Sequence, residues 1–328
     1  MSSPDRPDDT APDSDEKRNP LHDAISGTGL EKALEDFENV VHDIEHQVRE
    51  ANQKIDEKAG RPLWQAVVVG LTLGLTFLAV LIFSPLAFTV FVGLLVAVAV
   101  TELVTALRST GARLSRVGMV AVSLLPLAGA YLYGPVGVLW ALLAAIVVVG
   151  FVRFGLAAVD KGSRAQAVDD VARGIFVLAY IPFLASFAIA LATLPGGQWW
   201  VLAAVIIVVV VDTGAYATGL AFGRHKLAPK LSPGKTWEGL AGSAVLAVVA
   251  GSILGQYMIP TGWLTGSLVA LALVASATLG DLVESLIKRD IGVKDISSWL
   301  PGHGGFLDRL DSVVPSMAVI FVSYQIIT

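Results

Sequence analysis

Residues 199–212 read Trp199-Trp200-Val201-Leu202-Ala203-Ala204-Val205-Ile206-Ile207-Val208-Val209-Val210-Val211-Asp212, an unbroken apolar run that ends on a carboxylate. The apolar character resumes beyond Asp212 and lasts to about residue 222. A bilayer core needs about 20 apolar residues per helix, so this stretch reads as one membrane span with an acid inside it. Working outward, comparable stretches occupy roughly 63–83, 85–106, 117–133, 136–152, 174–194, 238–259, 263–287 and 310–327. With 199–222 they make about nine transmembrane helices in an all-α, polytopic bundle. Composition agrees. The 328-residue chain is 54% hydrophobic and only 16% charged, against about 25% charged in a soluble domain, and its mean hydropathy is +0.69. An ordinary water-soluble enzyme, a disordered chain and a disulfide scaffold are excluded. The absence of cysteine removes a thiolate nucleophile and any Cys-based metal site.

The connections fall into two sets. Ser84-Pro85, Tyr133–Val136, Pro195–Gln198 and Pro260–Gly262 carry no charge. The others carry Arg108, Arg113 and Arg116, then Arg153, Lys161, Arg164 and Arg173, then Arg224, Lys226, Lys230 and Lys235, then Lys288, Arg289, Lys294 and Arg309. The two kinds alternate along nine spans. The positive-inside rule then places the N-terminus and the basic loops in the cytoplasm of a multi-pass protein of the cell membrane.

The first 61 residues differ from the rest, with 16 acidic and 8 basic residues and a net charge of −8. Residues 1–28 are rich in Pro, Asp and Ser and read as a disordered acidic tail. From 29 to 60 a heptad seam runs through Leu30, Leu34, Phe37, Val41, Ile44, Val48, Ala51 and Ile55. It fits either a coiled coil or a single amphipathic helix. Glu31, Glu38 and Glu45 flank the seam, which argues against docking on anionic lipid. Residues 61–328 form the transmembrane domain.

Seven carboxylates lie at or inside span ends: Glu102, Asp212, Glu238, Asp281, Glu284, Asp308 and Asp311. An Asp at the centre of a membrane helix costs about 2.5–3.5 kcal/mol, and such residues usually face a polar interior. Asp212 follows Trp199 by 13 residues, about 20 Å at 1.5 Å per residue, and with this topology all seven fall in the cytoplasmic third or at the cytoplasmic rim. A transporter would gather its polar groups near the midplane. Asp281 and Glu284 share a helical face by their i, i+3 spacing, and Ser285 and Lys288 continue it. Asp308 and Asp311 repeat the spacing at the start of the last span. Lys288, Arg289 and Arg309 stand beside these pairs. Hard oxygens with few His and no Cys suit Mg²⁺, and Mg²⁺ with Lys and Arg serves phosphoryl or nucleotidyl transfer. The plainer alternative is a set of buried Asp–Arg pairs that stitch helices together. The run Pro301-Gly302-His303-Gly304-Gly305 offers backbone amides to phosphate, with His303 as a further substrate contact. Lys226, Lys230 and Lys235 near Ser232-Pro233-Gly234 fit either a topology signal or triphosphate binding.

Two blocks carry a resemblance. Ser285-Leu-Ile-Lys288-Arg289-Asp-Ile-Gly-Val-Lys294-Asp295-Ile-Ser-Ser-Trp-Leu300-Pro301-Gly302-His303-Gly304-Gly305-Phe-Leu-Asp308-Arg309-Leu-Asp311 resembles the signature of phosphatidate cytidylyltransferases, also called CDP-diacylglycerol synthases. Asp212-Thr-Gly-Ala-Tyr216, with Gly223-Arg-His-Lys-Leu-Ala-Pro229-Lys-Leu-Ser232-Pro233-Gly234-Lys235-Thr236-Trp237-Glu238-Gly239, agrees with it. Gly234 stands where that family often has a first Lys before the Thr. The resemblance spans roughly 63–328 and says nothing of the tail. It implies transfer of CMP from CTP to phosphatidic acid, giving CDP-diacylglycerol and pyrophosphate. It also implies Asp281 and Asp308 as metal ligands, with Asp212, Glu284 and Asp311 as additional ones. The metal would be Mg²⁺, with a second cation beside it. Lys235, Lys288, Arg309 and His303 would hold triphosphate or lipid phosphate, with Lys226, Lys230, Arg289 and Ser285 as further substrate contacts. The resemblance implies a homodimer in the lipid bilayer and no nucleic-acid partner. A related CTP-dependent transferase acting on another membrane lipid, or a cation-coupled transporter, is the alternative.

Overall fold

The computed structural model describes residues 63–159, 163–293 and 305–328. The expected tail (1–28) and heptad helix (29–60) lie outside them, as do Lys294 and His303. Residues from Val68 onward form one compact unit.

Helices dominate. They are α1 Leu63–Phe83, α2 Pro85–Ser109, α3 Arg116–Val159, α4 Arg164–Leu178, α5 Leu184–Ala192, α6 Gly197–Phe222, α7 Trp237–Tyr257, α8 Trp263–Ile291 and α9 Val313–Ile327. Local chemistry sets their ends. The Ser84 hydroxyl caps α2 by accepting the Ala87 amide, and Pro85 takes the first helical position, where its missing N–H costs nothing. α3 contains two of the expected spans, interrupted at Gly134, whose φ of 61° is open to glycine but strained for other residues. Between α4 and α5 the chain widens into a π-helical turn, Ala179–Phe183, around Pro182; proline has no N–H for the ordinary ladder. By length and composition, six of the described helical segments are long and apolar enough to cross a membrane: α2, α3, α4 continuing through α5, α6, α7 and α8.

Phe88 and Leu103 of α2, Ile189 and Leu191 of α5, Ile207 of α6 and Leu273 of α8 are fully buried. α3 is different. Leu132, Tyr133, Trp140, Val147 and Phe151 are exposed along it, a surface that fits lipid rather than water. α7 packs against both α6 and α8, and α9 packs against α5, α6 and α8. The far end of α9 is pinned by the Tyr324 hydroxyl, which donates to the Pro195 carbonyl at 3.0 Å. At the basic end, buried Asp170 of α4 pairs with Arg153 of α3 and accepts the Arg113 amide at 2.9 Å.

Two elements depart from the sequence reading. The basic connection after α6 is a β-hairpin, β1 Lys226–Ala228 against β2 Ser232–Thr236. Lys226 pairs with Thr236 and Ala228 with Ser232, so β2 carries two residues more than β1 over the same span. That surplus bulges the Pro233–Lys235 segment. The second departure is at α9, which begins at Val313. Asp308 sits on a 3₁₀ turn, Leu307–Arg309, and Asp311 on the next turn of the chain. The cause is local: Asp308 Oδ2 takes the Gly305 amide at 3.0 Å and Asp311 Oδ1 takes the Ser312 amide at 2.8 Å. Side chains that bind nearby amides favour turns and caps over helix interiors.

Candidate active site

A cavity of about 510 Å³ opens among α6, β2, the start of α7, α8 and the Leu307–Ser312 turn. Its walls include Asp212 from α6, Lys235 from β2, Asp281, Glu284 and Lys288 from α8, and Asp308, Arg309 and Asp311 from the turn. Five carboxylates thus face three cations. Such a formal negative excess attracts cations, while the Lys and Arg groups offer donors to phosphate.

Each wall is positioned by a specific device. Thr236 caps α7, its Oγ1 accepting the Gly239 amide at 3.1 Å, and the bulge before it carries Lys235 to the cavity. Lys235 Nζ lies 2.5 Å from Asp281 Oδ2. Glu238 Oε1 lies 2.6 Å from the His225 ring, and the Glu238 carboxylate also accepts the Arg224 and His225 amides. Together these bonds tie the hairpin base to α7. On α8, Lys288 Nζ is 2.6 Å from Glu284 Oε2 and 3.6 Å from Asp308 Oδ1. Gly280 lets α8 approach the turn. A Cβ there would stand 2.2 Å from the Asp311 carbonyl oxygen and 3.0 Å from Pro315 Cγ, so only glycine allows this spacing.

The donor set fits a hard cation. Glu284 Oε1 and Asp308 Oδ1 are buried without a hydrogen bond from an N–H or O–H, and Lys288 Nζ stands between the two carboxyls, 2.6 Å from Glu284 Oε2 and 3.6 Å from Asp308 Oδ1. Carboxyls so placed share either a proton or a cation. Burial pushes the Asp308 carboxyl up, but Glu284, the Gly305 amide and Lys288 outweigh it and hold Asp308 below the ordinary carboxylate range. Asp308 is therefore charged at neutral pH. Among the described residues, no three His, Asp or Glu side chains form a metal site by themselves. Mg²⁺ commonly takes one or two carboxylates and completes its shell with phosphate oxygens and water, so a site completed by substrate suits this geometry.

Residues 64–327 match the Cytidylyltransferase family. The chain belongs to that family. It is 36% identical over 273 residues, 81% of this chain and 89% of the relative, to the phosphatidate cytidylyltransferase of Mycobacterium bovis. It is 34% identical over 308 residues, 90% and 96% of the two chains, to that of Mycobacterium leprae. The Haemophilus influenzae phosphatidate cytidylyltransferase is 48% identical over 118 residues, 34% of this chain and 40% of that one.

In this family member, eight of the residues singled out from sequence line one cavity: Asp212, Lys235, Asp281, Glu284, Lys288, Asp308, Arg309 and Asp311. Six others among the described residues, including Glu102 and Glu238, do not line it. Lys226 and Lys230 are exposed on the hairpin and its turn, and Arg289 is exposed on α8. Ser285 is buried in helix packing. The sequence reading passed over Thr278, Ser243 and Ser312, small polar groups on the cavity wall. It noted Glu102 without giving it a role. Gly234 lines the cavity, and a Cβ there would meet nothing within 4 Å.

Proposed function

We propose that this cytidylyltransferase transfers CMP from CTP to phosphatidate, releasing pyrophosphate and forming CDP-diacylglycerol. The reading is carried by one observation: three cations and five carboxylates from four separate elements line one cavity. A phosphomonoester has a second pKa near 6, so the lipid phosphate is already anionic at neutral pH. Its oxygen attacks the α-phosphorus of CTP, a new P–O bond forms, and the bond to the β-phosphate oxygen breaks. No protein nucleophile is required. The protein's work is to hold two polyanions in line and offset their repulsion.

Lys235, Lys288 and Arg309 supply the positive charge, Lys235 and Lys288 on the triphosphate and Arg309 on the lipid phosphate. Glu284 and Asp308, with Asp281, would hold Mg²⁺; Asp212 and Asp311 complete the acidic wall and suit a second cation. Bound Mg²⁺ supplies charge screening between the two phosphates. Asp281 keeps Lys235 directed into the cavity, and Glu284 does the same for Lys288.

In the same reading, nine spans place the N-terminus, the hairpin and the cavity on the cytoplasmic side of the cell membrane. The apolar face of α3 meets lipid, and two copies associate as a homodimer. The deciding experiment incubates detergent-solubilised protein with Mg²⁺, labelled CTP and phosphatidate, alone and together. Pyrophosphate release that requires both substrates supports the assignment. Release with a polyprenyl phosphate but not with phosphatidate would move the activity to another lipid.

A further inference from the structure

Glu102 lies inside α2, seven residues before its end, and is 2% exposed. Its Oε1 accepts the Phe306 amide at 3.0 Å and its Oε2 accepts the Leu307 amide at 2.9 Å. Those amides belong to the two residues immediately before Asp308, and the bonds cross 204 and 205 positions of sequence. Backbone groups at the start of a helical turn have no partner within it, and a carboxylate is the strongest acceptor available for them. Glu102 satisfies both. A carboxylate buried in an apolar helix is costly, and these two bonds offset part of that cost.

The clamp acts on the active-site wall. The 3₁₀ turn it caps carries Asp308 and Arg309, and Asp308 then bonds the Gly305 amide on the clamp's other side. With the turn in this place, Asp308 Oδ1 stands 3.6 Å from Lys288 Nζ, which in turn pairs with Glu284. We infer that Glu102 is a positioning residue for the transfer reaction, fixing the turn so that Asp308 meets Glu284 and Lys288. This rests on the proposed assignment of Asp308 to the active site.

The test is a double-mutant cycle in the full-length protein, with kcat, KM for CTP and melting temperature measured for each variant. Glu102→Gln keeps the size and one carbonyl acceptor, whereas Glu102→Ala removes both. Expected are losses in kcat of roughly tenfold for Gln and a hundredfold for Ala, with KM for CTP within threefold. Adding either change to Asp308→Asn should cost little more, because both act on one carboxylate. Losses that multiply in the double variant would overturn the inference. So would normal kcat in folded Glu102→Gln with a lowered melting temperature, which would make Glu102 a stability clamp alone. Normal kcat in Asp308→Asn with a loss in Glu102→Ala would instead reject the assignment of Asp308, and with it this route for Glu102. If Glu102→Ala does not fold, Glu102→Gln carries the cycle by itself.

Discussion

Lys235 of the hairpin and Asp281 of α8 form an ion pair at 2.5 Å on the cavity wall. Both side chains keep partial solvent contact, so the pair adds little to stability. In the proposed reaction its value is placement, holding the cation where a triphosphate would arrive. Lys235→Met should raise KM for CTP at least tenfold while moving the melting temperature by no more than a few degrees. Steady-state kinetics with a parallel melting curve check this. Unchanged KM would remove Lys235 from triphosphate binding.

Asp281 and Asp308 come from different elements and meet only in the folded bundle. Asparagine keeps their size and removes the charge. Asp281→Asn or Asp308→Asn should each lower kcat at least a hundredfold, about 2.7 kcal/mol of transition-state stabilisation, with the protein still folded. If Asp308 only stitches helices, the stranded Lys288 would destabilise the bundle instead, whereas loss of the part-exposed Asp281–Lys235 pair would leave both rate and melting temperature nearly unchanged. Mg²⁺-dependent pyrophosphate release beside a thermal melt separates the two outcomes.

Gly280 stands where any Cβ would collide with the Asp311 carbonyl. Backbone cannot yield as a flexible side chain does, so Gly280→Ala should push α8 from the turn and cost about 1–3 kcal/mol. The measurement is loss of melting temperature with loss of turnover. A fully stable and active alanine variant would contradict the packing.

Gly234 is the reverse case, with open space beside its Cα at the cavity wall. Gly234→Lys should be accommodated and add a second cation beside Lys235. KM for CTP should fall severalfold at low ionic strength, with the gain shrinking as salt screens the charge. Kinetics at two salt concentrations test it.

The chain has no cysteine, so single cysteines report topology directly. In intact cells, cysteine at Pro195 should be labelled from outside by an impermeant maleimide and cysteine at Ser232 should not. Labelling of both would defeat the nine-span arrangement.

The helices and most of the acidic site were legible because runs of about 20 apolar residues have few other uses, and a carboxylate inside one demands a polar neighbour. The hairpin was hidden: Lys226–Ala228 and Ser232–Thr236 are too short and too polar for alternation to show. Spacing placed Ser285 beside Asp281 on α8. It did not show that packing buries Ser285 while Asp281 lines the cavity. Asp308 and Asp311 were read as helical because i, i+3 spacing looks alike in a helix and in consecutive turns. The role of Glu102 was out of reach, since its partners are backbone amides two hundred residues away and leave no mark in side-chain identity.

That separation also orders the molecule in time. Chains are synthesised at about 5–20 residues per second, so at least ten seconds pass between Glu102 and the Phe306 and Leu307 amides that its oxygens accept. Throughout that interval α2 must reside in the nascent bundle without them. A chain broken off before residue 306 would keep α1 to α8 but lose α9, and would leave that acid without its two amides. Arrival of the final segment thus supplies the two amides for Glu102 and the cavity's Asp308, Arg309 and Asp311 together.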